Sequence, residues 1–196
     1  MLNPDGVQLQ LHGARDFPNR QRLLEMNGGS EDFSHWQANG RGVDLNHNYG
    51  AGFAEYKSLE RDAGIRGGGP TRFSGDYPES EPETGALATY LRFDRSVRTI
   101  LSLHTQGEVI YYTSGGLCPS KSKNIARLLS HMSGYTLAEP EGPASFGGLT
   151  DWAIRELNIP AFTVECGRGT NPLPLSANFG IYTRLREMLF TAPILV

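Results

Sequence analysis

The chain is poor in the features that would place it in several large protein classes. It has two cysteines in 196 residues, Cys118 and Cys166, which make neither a disulfide framework nor a metal-ligand spacing. They read as two reduced and unremarkable thiols. No apolar run approaches the ~20 residues of a bilayer-spanning helix, so no membrane is expected as a partner. The opening Met1-Leu2-Asn3-Pro4-Asp5-Gly6 has the composition of a turn and not of a signal peptide; the compartment is left undefined. An excess of one charge is missing too. The 18 Lys and Arg against 21 Asp and Glu leave −3, which gives no footprint for nucleic acid or anionic lipid. Internal repeats and low-complexity tracts are also absent. What the chain does have is 24 glycines and 12 prolines, a loop-rich composition that suits a site carried on loops. At this length, and with 38% hydrophobic residues, one domain with a sizeable core is expected, or one domain with a piece missing.

Two stretches organise the rest. Val97-Arg98-Thr99-Ile100-Leu101-Ser102-Leu103 is an apolar run that ends in His104, and Phe162-Thr163-Val164 is a short β-branched and aromatic run that ends in Glu165. Each reads as a buried strand delivering one ionisable side chain at its C-terminal end, where open α/β sheets place their sites. A neutral imidazole can ligate metal and a carboxylate can move protons, the minimum equipment of a zinc hydrolase. Taken alone, His104 also fits a satisfied core histidine. Glu165 is harder to read that way, because a carboxylate ending a buried strand is costly unless a cation or metal pairs with it.

Along the chain, Asn3-Pro4-Asp5-Gly6 predicts a turn, and such a turn at the very first residues suggests that an N-terminal part is absent. Residues 7–42 read as irregular apart from a short helix at 20–26. Val43 and Leu45 mark a short extended segment, and Asn46-His47-Asn48 after it fits an Asn-rich turn. A capping Ser80, Pro82 in the first turn and Glu83 completing a capping box predict a helix to about Phe93, with Ala86, Leu87, Tyr90 and Leu91 inward. Strands are expected at 97–103 and 108–113. A helix at 120–132 should pack through Ile125, Leu128, Leu129 and Met132, and another should end near Leu157. Pro160 opens the strand of Glu165, and a last helix at 179–190 presents Ile181, Leu185, Met188 and Leu189. This alternation predicts an α/β fold, a mixed and largely parallel sheet flanked by helices.

Six segments, in order, resemble the zinc carboxypeptidase family, and within it the bacterial γ-D-glutamyl-meso-diaminopimelate peptidases. They are Asn3-Pro4-Asp5-Gly6, Gly42-Val43-Asp44-Leu45-Asn46-His47-Asn48, Ser80-Glu81-Pro82-Glu83-Thr84, Ser102-Leu103-His104-Thr105-Gln106-Gly107-Glu108, Asp151-Trp152 and Phe162-Thr163-Val164-Glu165. The resemblance runs through nearly all of the chain. It implies a zinc-carboxypeptidase-like catalytic domain over 1–196, N-terminally truncated, whose substrate is a peptidoglycan stem peptide. By the same resemblance His104 is a zinc ligand and Glu165 the general base that activates the zinc-bound water. Asn46 and His47 meet the substrate carboxylate.

The chain also departs from the family pattern. The other two zinc ligands come from a His-x-x-Glu motif before the Asn-Pro-Asp-Gly segment, and no histidine here opens such a motif. The Zn2+ site is therefore expected to be incomplete and the chain inactive or weakly active. His47 stands where the family's carboxylate-binding arginine is usual, and an imidazole lacks the charged fork of a guanidinium. Arg41 is the one cation of its segment and is nominated for the oxyanion, with a solvated loop arginine as the alternative. Residues 143–146 occupy the place of the substrate-capping tyrosine, where Phe146 can pack on substrate but donate nothing. Arg168, between two glycines just past Glu165, suits a second substrate carboxylate or solvent. Two rival functions remain open, a peptide-binding pseudoenzyme and a broad-specificity carboxypeptidase. A truncated sheet edge would favour self-association.

Overall fold

Asn3 does not turn the chain but starts a helix. Its Oδ1 accepts from the Gly6 N–H at 2.9 Å, with Pro4 in the first turn and Asp5 at the positive end of α1, Pro4–His12. The expected turn is thereby corrected, and the irregular stretch expected from residue 7 begins only after His12, with a helix at 20–26 as expected: Asn, Pro and Asp serve a helix N-terminus as well as they serve a turn. Gly6 is required because a Cβ there would lie 2.6 Å from the Ala38 carbonyl. The computed structural model describes residues 1–142 and 146–194. The chain divides into two units, Met1–Asp94 with Phe146–Leu149, and Arg95–Ser145 with Thr150–Val196.

In the first unit, α1 and α2 (Arg20–Met26) bury Leu9 and Leu23 against Ala14, Phe33, Trp36 and Ala38. A 3-10 turn at Leu45–His47 follows, and then α3 at Phe53–Asp62. That helix goes unread in the sequence because its buried face is carried by Tyr56 and Glu60 rather than by an aliphatic stripe. Helix α4 spans Pro82–Phe93 as expected, but its N-cap is Glu81 and no side chain caps it. The Ser80 hydroxyl instead donates to Glu81 Oε1 at 2.9 Å. Its inward residues are Thr84, Ala88 and Leu91, while Ala86 and Tyr90 are exposed and Leu87 is half-buried. The unit is tied together by Asn48, which is fully buried. Its amide donates to the Ser74 carbonyl (2.7 Å) and Ser80 Oγ (3.0 Å), and its carbonyl accepts from Thr84 Oγ1 (2.5 Å) and the Glu81 N–H (3.3 Å).

The second unit is a four-stranded mixed sheet. Strands β1 (Ile100–His104), β2 (Val109–Tyr111), β3 (Thr136–Ala138) and β4 (Ala161–Glu165) lie in the order β1-β4-β2-β3. β1 with β4 and β2 with β3 are parallel, and β2 with β4 is antiparallel. Helices α5 (Ser122–Ser133) and α7 (Asn178–Thr191) share one core with Ile110, Phe162 and Val164 through Ile125, Leu129, Leu185 and Met188. Leu128, expected to pack, is 47% exposed. Helix α6 (Leu149–Trp152) runs into a π-helical turn at Ala153–Leu157. β4 is the buried strand the sequence predicts. β1 is not, since it lies at the sheet edge among the described residues and Leu103 is 52% exposed. No helix among the described residues is long and apolar enough to cross a membrane.

Candidate active site

Alternation along β4 puts Phe162 and Val164 into the α5–α7 core and sends Thr163 and Glu165 to the opposite face. The parallel register pairs Ser102 with Thr163 and His104 with Glu165, and in-register neighbours share a face. His104 and Glu165 therefore stand side by side at the C-terminal ends of adjacent strands, on chains about 4.8 Å apart. The backbone continues the pairing, with the Cys166 N–H donating to the His104 carbonyl and the Glu108 N–H to the Glu165 carbonyl, both at 2.8 Å. Ser102 Oγ lies 3.0 Å from His104 Nε2. On the same face Thr150 Oγ1 lies 2.8 Å from Thr163 Oγ1.

Burial disfavours the charged form of Glu165 and raises its pKa from an ordinary 4.5 to about 7. Its neighbour Cys166 is pushed up to about 11 by burial and by the Glu165 charge, which keeps it a thiol. Glu165 also ties stability to pH. A carboxyl that holds its proton more tightly when folded contributes fully below about pH 4.5, and that contribution is lost as pH rises through about 7. The full linkage is about 3 kcal/mol, which solvent reaching the half-buried group reduces to roughly 1–2 kcal/mol. Glu165→Gln is thus expected to match the parent in denaturant stability at pH 4.5 and to exceed it by that amount at pH 8. Equal stability at both values would show that Glu165 ionises freely.

Arg168 follows on the loop after β4, 71% exposed, with its Nε 2.9 Å from Glu108 Oε2. Gly167 before it has φ +71°, and a Cβ there would meet Ile181 Cδ1 at 2.8 Å, so only glycine fits this turn.

The first unit holds the other nominated residues. Arg41 Nε lies 3.3 Å from Glu81 Oε2, with the arginine side chain 67% exposed and the glutamate 2%. Glu81 is also bonded by Asn39 Nδ2 at 2.8 Å, so Arg41 has a fixed, buried counter-charge rather than solvent alone. Asn46 is exposed, and its backbone N–H donates to Asp44 Oδ1 at 3.2 Å. His47 and Phe146 come together: His47 Nδ1 lies 3.0 Å from the Phe146 carbonyl, and the imidazole stacks on Tyr56 at 3.9 Å and 12°. A carbonyl only accepts, so Nδ1 carries the proton and the neutral ring is left with Nε2 as an acceptor. Such a ring can donate to a carboxylate only as imidazolium. The Phe146 ring packs on Gly52, where a Cβ would lie 2.5 Å from its Cδ1. Residues 143–145, the rest of the segment expected to replace a capping tyrosine, lie outside the described residues.

Sequence reasoning missed Ser102, Glu108, Tyr56 and the buried role of Glu81. Only Glu108 and Glu81 carried a signal, as ionisable residues inside the quoted segments. A catalytic zinc takes three protein ligands and a water. Among the described residues no group of three or more His, Cys, Asp or Glu is arranged to hold a metal ion. His104 is one candidate donor, and these residues do not by themselves fit a catalytic zinc.

Comparison with known proteins bears on the fold and the family. The chain is 39% identical over 184 residues to gamma-D-glutamyl-L-diamino acid endopeptidase 1 of Lysinibacillus sphaericus, covering 93% of this chain and 44% of that protein. The chain spans about half the length of the curated relatives it matches. Among solved structures, carboxypeptidase A from Helicoverpa armigera superposes with a TM-score of 0.64 at 19% identity, over 100% of this chain and 49% of that one. Murein-tripeptide amidase MpaA from Escherichia coli O157 does so with 0.55 at 24% identity, over 96% and 65%. At these identities the two structures speak to the fold alone. The pattern described as zinc carboxypeptidase matches residues 1–183, across both units, and with the 39% relative it establishes that the chain belongs to the zinc carboxypeptidase family.

Proposed function

We propose that the whole protein is a zinc-dependent peptidase acting on bacterial cell-wall peptides at a γ-D-glutamyl–diamino acid bond. The observation that carries this reading is the in-register pairing of His104 with Glu165 at the ends of two parallel strands. It is supported by the name of the 39% relative, a gamma-D-glutamyl-L-diamino acid endopeptidase. In this reading His104 would be one ligand of a zinc ion, which would supply Lewis-acid chemistry at the scissile carbonyl. Glu165 takes a proton from the attacking water and returns it to the leaving amine, a task suited to a carboxyl poised near neutral pH. Arg41, steadied by Glu81, is the cation nominated for the developing oxyanion charge. Asn46 and His47 bind substrate carboxylate, Phe146 packs on the peptide, and Arg168 is a cation available for a further carboxylate.

The 196-residue chain supplies one imidazole towards a site that needs three protein ligands. Zinc is accordingly expected to bind it more weakly than micromolar, and hydrolysis by the chain alone to be slow or absent. Titration with zinc beside His104→Ala tests the ligand. One-to-one sub-micromolar binding that His104→Ala abolishes would mean that further ligands complete the site and the chain is active as it stands. Binding unaffected by His104→Ala would remove His104 from the metal site. Substrate class is tested separately by affinity for a γ-D-glutamyl-diaminopimelate peptide against its α-linked isomer. A preference for the γ-linked peptide is expected, and equal affinity would favour a broad-specificity carboxypeptidase.

A further inference from the structure

Beyond the His104–Glu165 pair, the second unit gathers two positive charges around one carboxylate. Glu108, 15% exposed, meets Arg168 Nε through Oε2 at 2.9 Å and Arg184 Nη1 through Oε1 at 3.2 Å. One carboxylate between two guanidinium groups leaves a positive charge in excess. The two arginines are not equivalent. Arg184 is tied on three sides: Nε donates to the Ser133 carbonyl at 2.9 Å, the guanidinium carbon lies 5.4 Å from the centre of the Tyr135 ring, and Nη1 is on Glu108. Arg168 has Glu108 as its one ion-pair partner among the described residues, reaches it with Nε, and is 71% exposed. That leaves its two terminal nitrogens for another anion, and this edge of the fork grips a carboxylate bidentately.

The group is also anchored to the strand of Glu165. The Glu108 N–H donates to the Glu165 carbonyl and the Gly107 N–H to the Gly167 carbonyl, both at 2.8 Å. Tyr135 OH, under Arg184, accepts from the Gly167 N–H at 3.1 Å. Gly169 N–H donates to Gln106 Oε1 at 3.2 Å, and Asn171 Nδ2 to the Thr105 carbonyl at 2.9 Å. The loop of Arg168 is therefore held at a set distance from Glu165 by bonds of Gly167, Gly169 and Asn171 rather than by the Arg168 side chain.

We infer that Arg168, Glu108 and Arg184 form an anion subsite for the second carboxylate of a diamino-acid residue. Arg168 binds the carboxylate. Glu108 is a positioning residue that turns the Arg168 fork outward. Arg184 supplies the second positive charge, without which Glu108 would neutralise Arg168. The identity of the peptide rests on the function proposed above, whereas the division of labour among these three side chains does not.

The test compares binding of two tripeptides to the 196-residue chain by calorimetry, L-alanyl-γ-D-glutamyl-meso-diaminopimelate and the same peptide ending in lysine. They differ by one carboxylate. The parent chain is expected to bind the diaminopimelate peptide roughly tenfold more tightly. Arg168→Ala should bring that peptide down to the lysine peptide, leaving the latter unchanged. Arg184→Met keeps an apolar stem over Tyr135 and should reduce the ratio to about threefold, with no further effect in the Arg168→Ala background. Equal binding of both peptides by the parent, or a ratio that survives Arg168→Ala, overturns the subsite while the proposed function stands. Failure to bind either peptide overturns both. Equal weakening of the two peptides by Arg184→Met makes Arg184 a structural residue and removes it from the subsite.

Discussion

Asn48→Ala is expected to destabilise the first unit by about 4 kcal/mol, against less than about 0.5 kcal/mol for Asn46→Ala two residues away. The two asparagines look alike in the sequence, in one polar run after Leu45. Asn46 is exposed, whereas Asn48 is fully buried and its side-chain amide bonds to five other residues, Ser74, Tyr77, Ser80, Glu81 and Thr84, at 2.5–3.3 Å. Removing it orphans the Ser74 carbonyl and the Glu81 N–H, in residues 0% and 2% exposed, and each orphaned buried group costs about 1–3 kcal/mol. It also unties the turn of Asn46 and His47 from the start of α4. Denaturant titration of the two variants beside the parent checks this. Similar stabilities for Asn46→Ala and Asn48→Ala would sink the account.

The second large effect belongs to β4. Phe162→Ala should cost about 3–5 kcal/mol in the second unit, or roughly 6–20 °C in melting temperature. Phe162 has no exposed surface and lies in the core with Ile110, Ile125, Leu129 and Met188, so truncation leaves a cavity that a close-packed interior cannot fill. Phe179→Ala is the control, because Phe179 is 80% exposed on α7 and should change stability by less than about 0.5 kcal/mol. Since Phe162 backs the strand that presents Glu165, a loosened β4 should also lower the raised pKa of Glu165 as water reaches it. Carboxyl-selective NMR titration of Phe162→Ala would read a value below about 7. An unchanged value would show that the environment of Glu165 does not depend on this packing.

Much of this protein was legible before any coordinates. The β-branched run before Glu165, the apolar spacing of Ile125 and Leu129, and that of Leu185 and Met188, report burial directly, because each element hides one face and the period of that face is written in the residues. Helices α2, α4, α5 and α7 and strand β4 appear where those patterns place them. The ends were less legible. Asn-Pro-Asp-Gly caps a helix because the residue types that make turns also make N-termini, and only the path of the next residues separates the two. α3 hides a tyrosine and a glutamate, which no hydropathy pattern marks as a buried face.

By itself the sequence determined which side chains could do chemistry, and the family they belong to, through residue types in a set order. The tertiary structure alone decided their partners. Strand register, which is a matter of hydrogen bonding between segments some 60 residues apart, set His104 beside Glu165. Burial then raised the Glu165 carboxyl, a neighbouring carbonyl fixed the tautomer of His47, and the fold brought Arg184 to the same carboxylate as Arg168. None of these can be read along the chain, because solvation and pairing belong to the space between residues and not to their order.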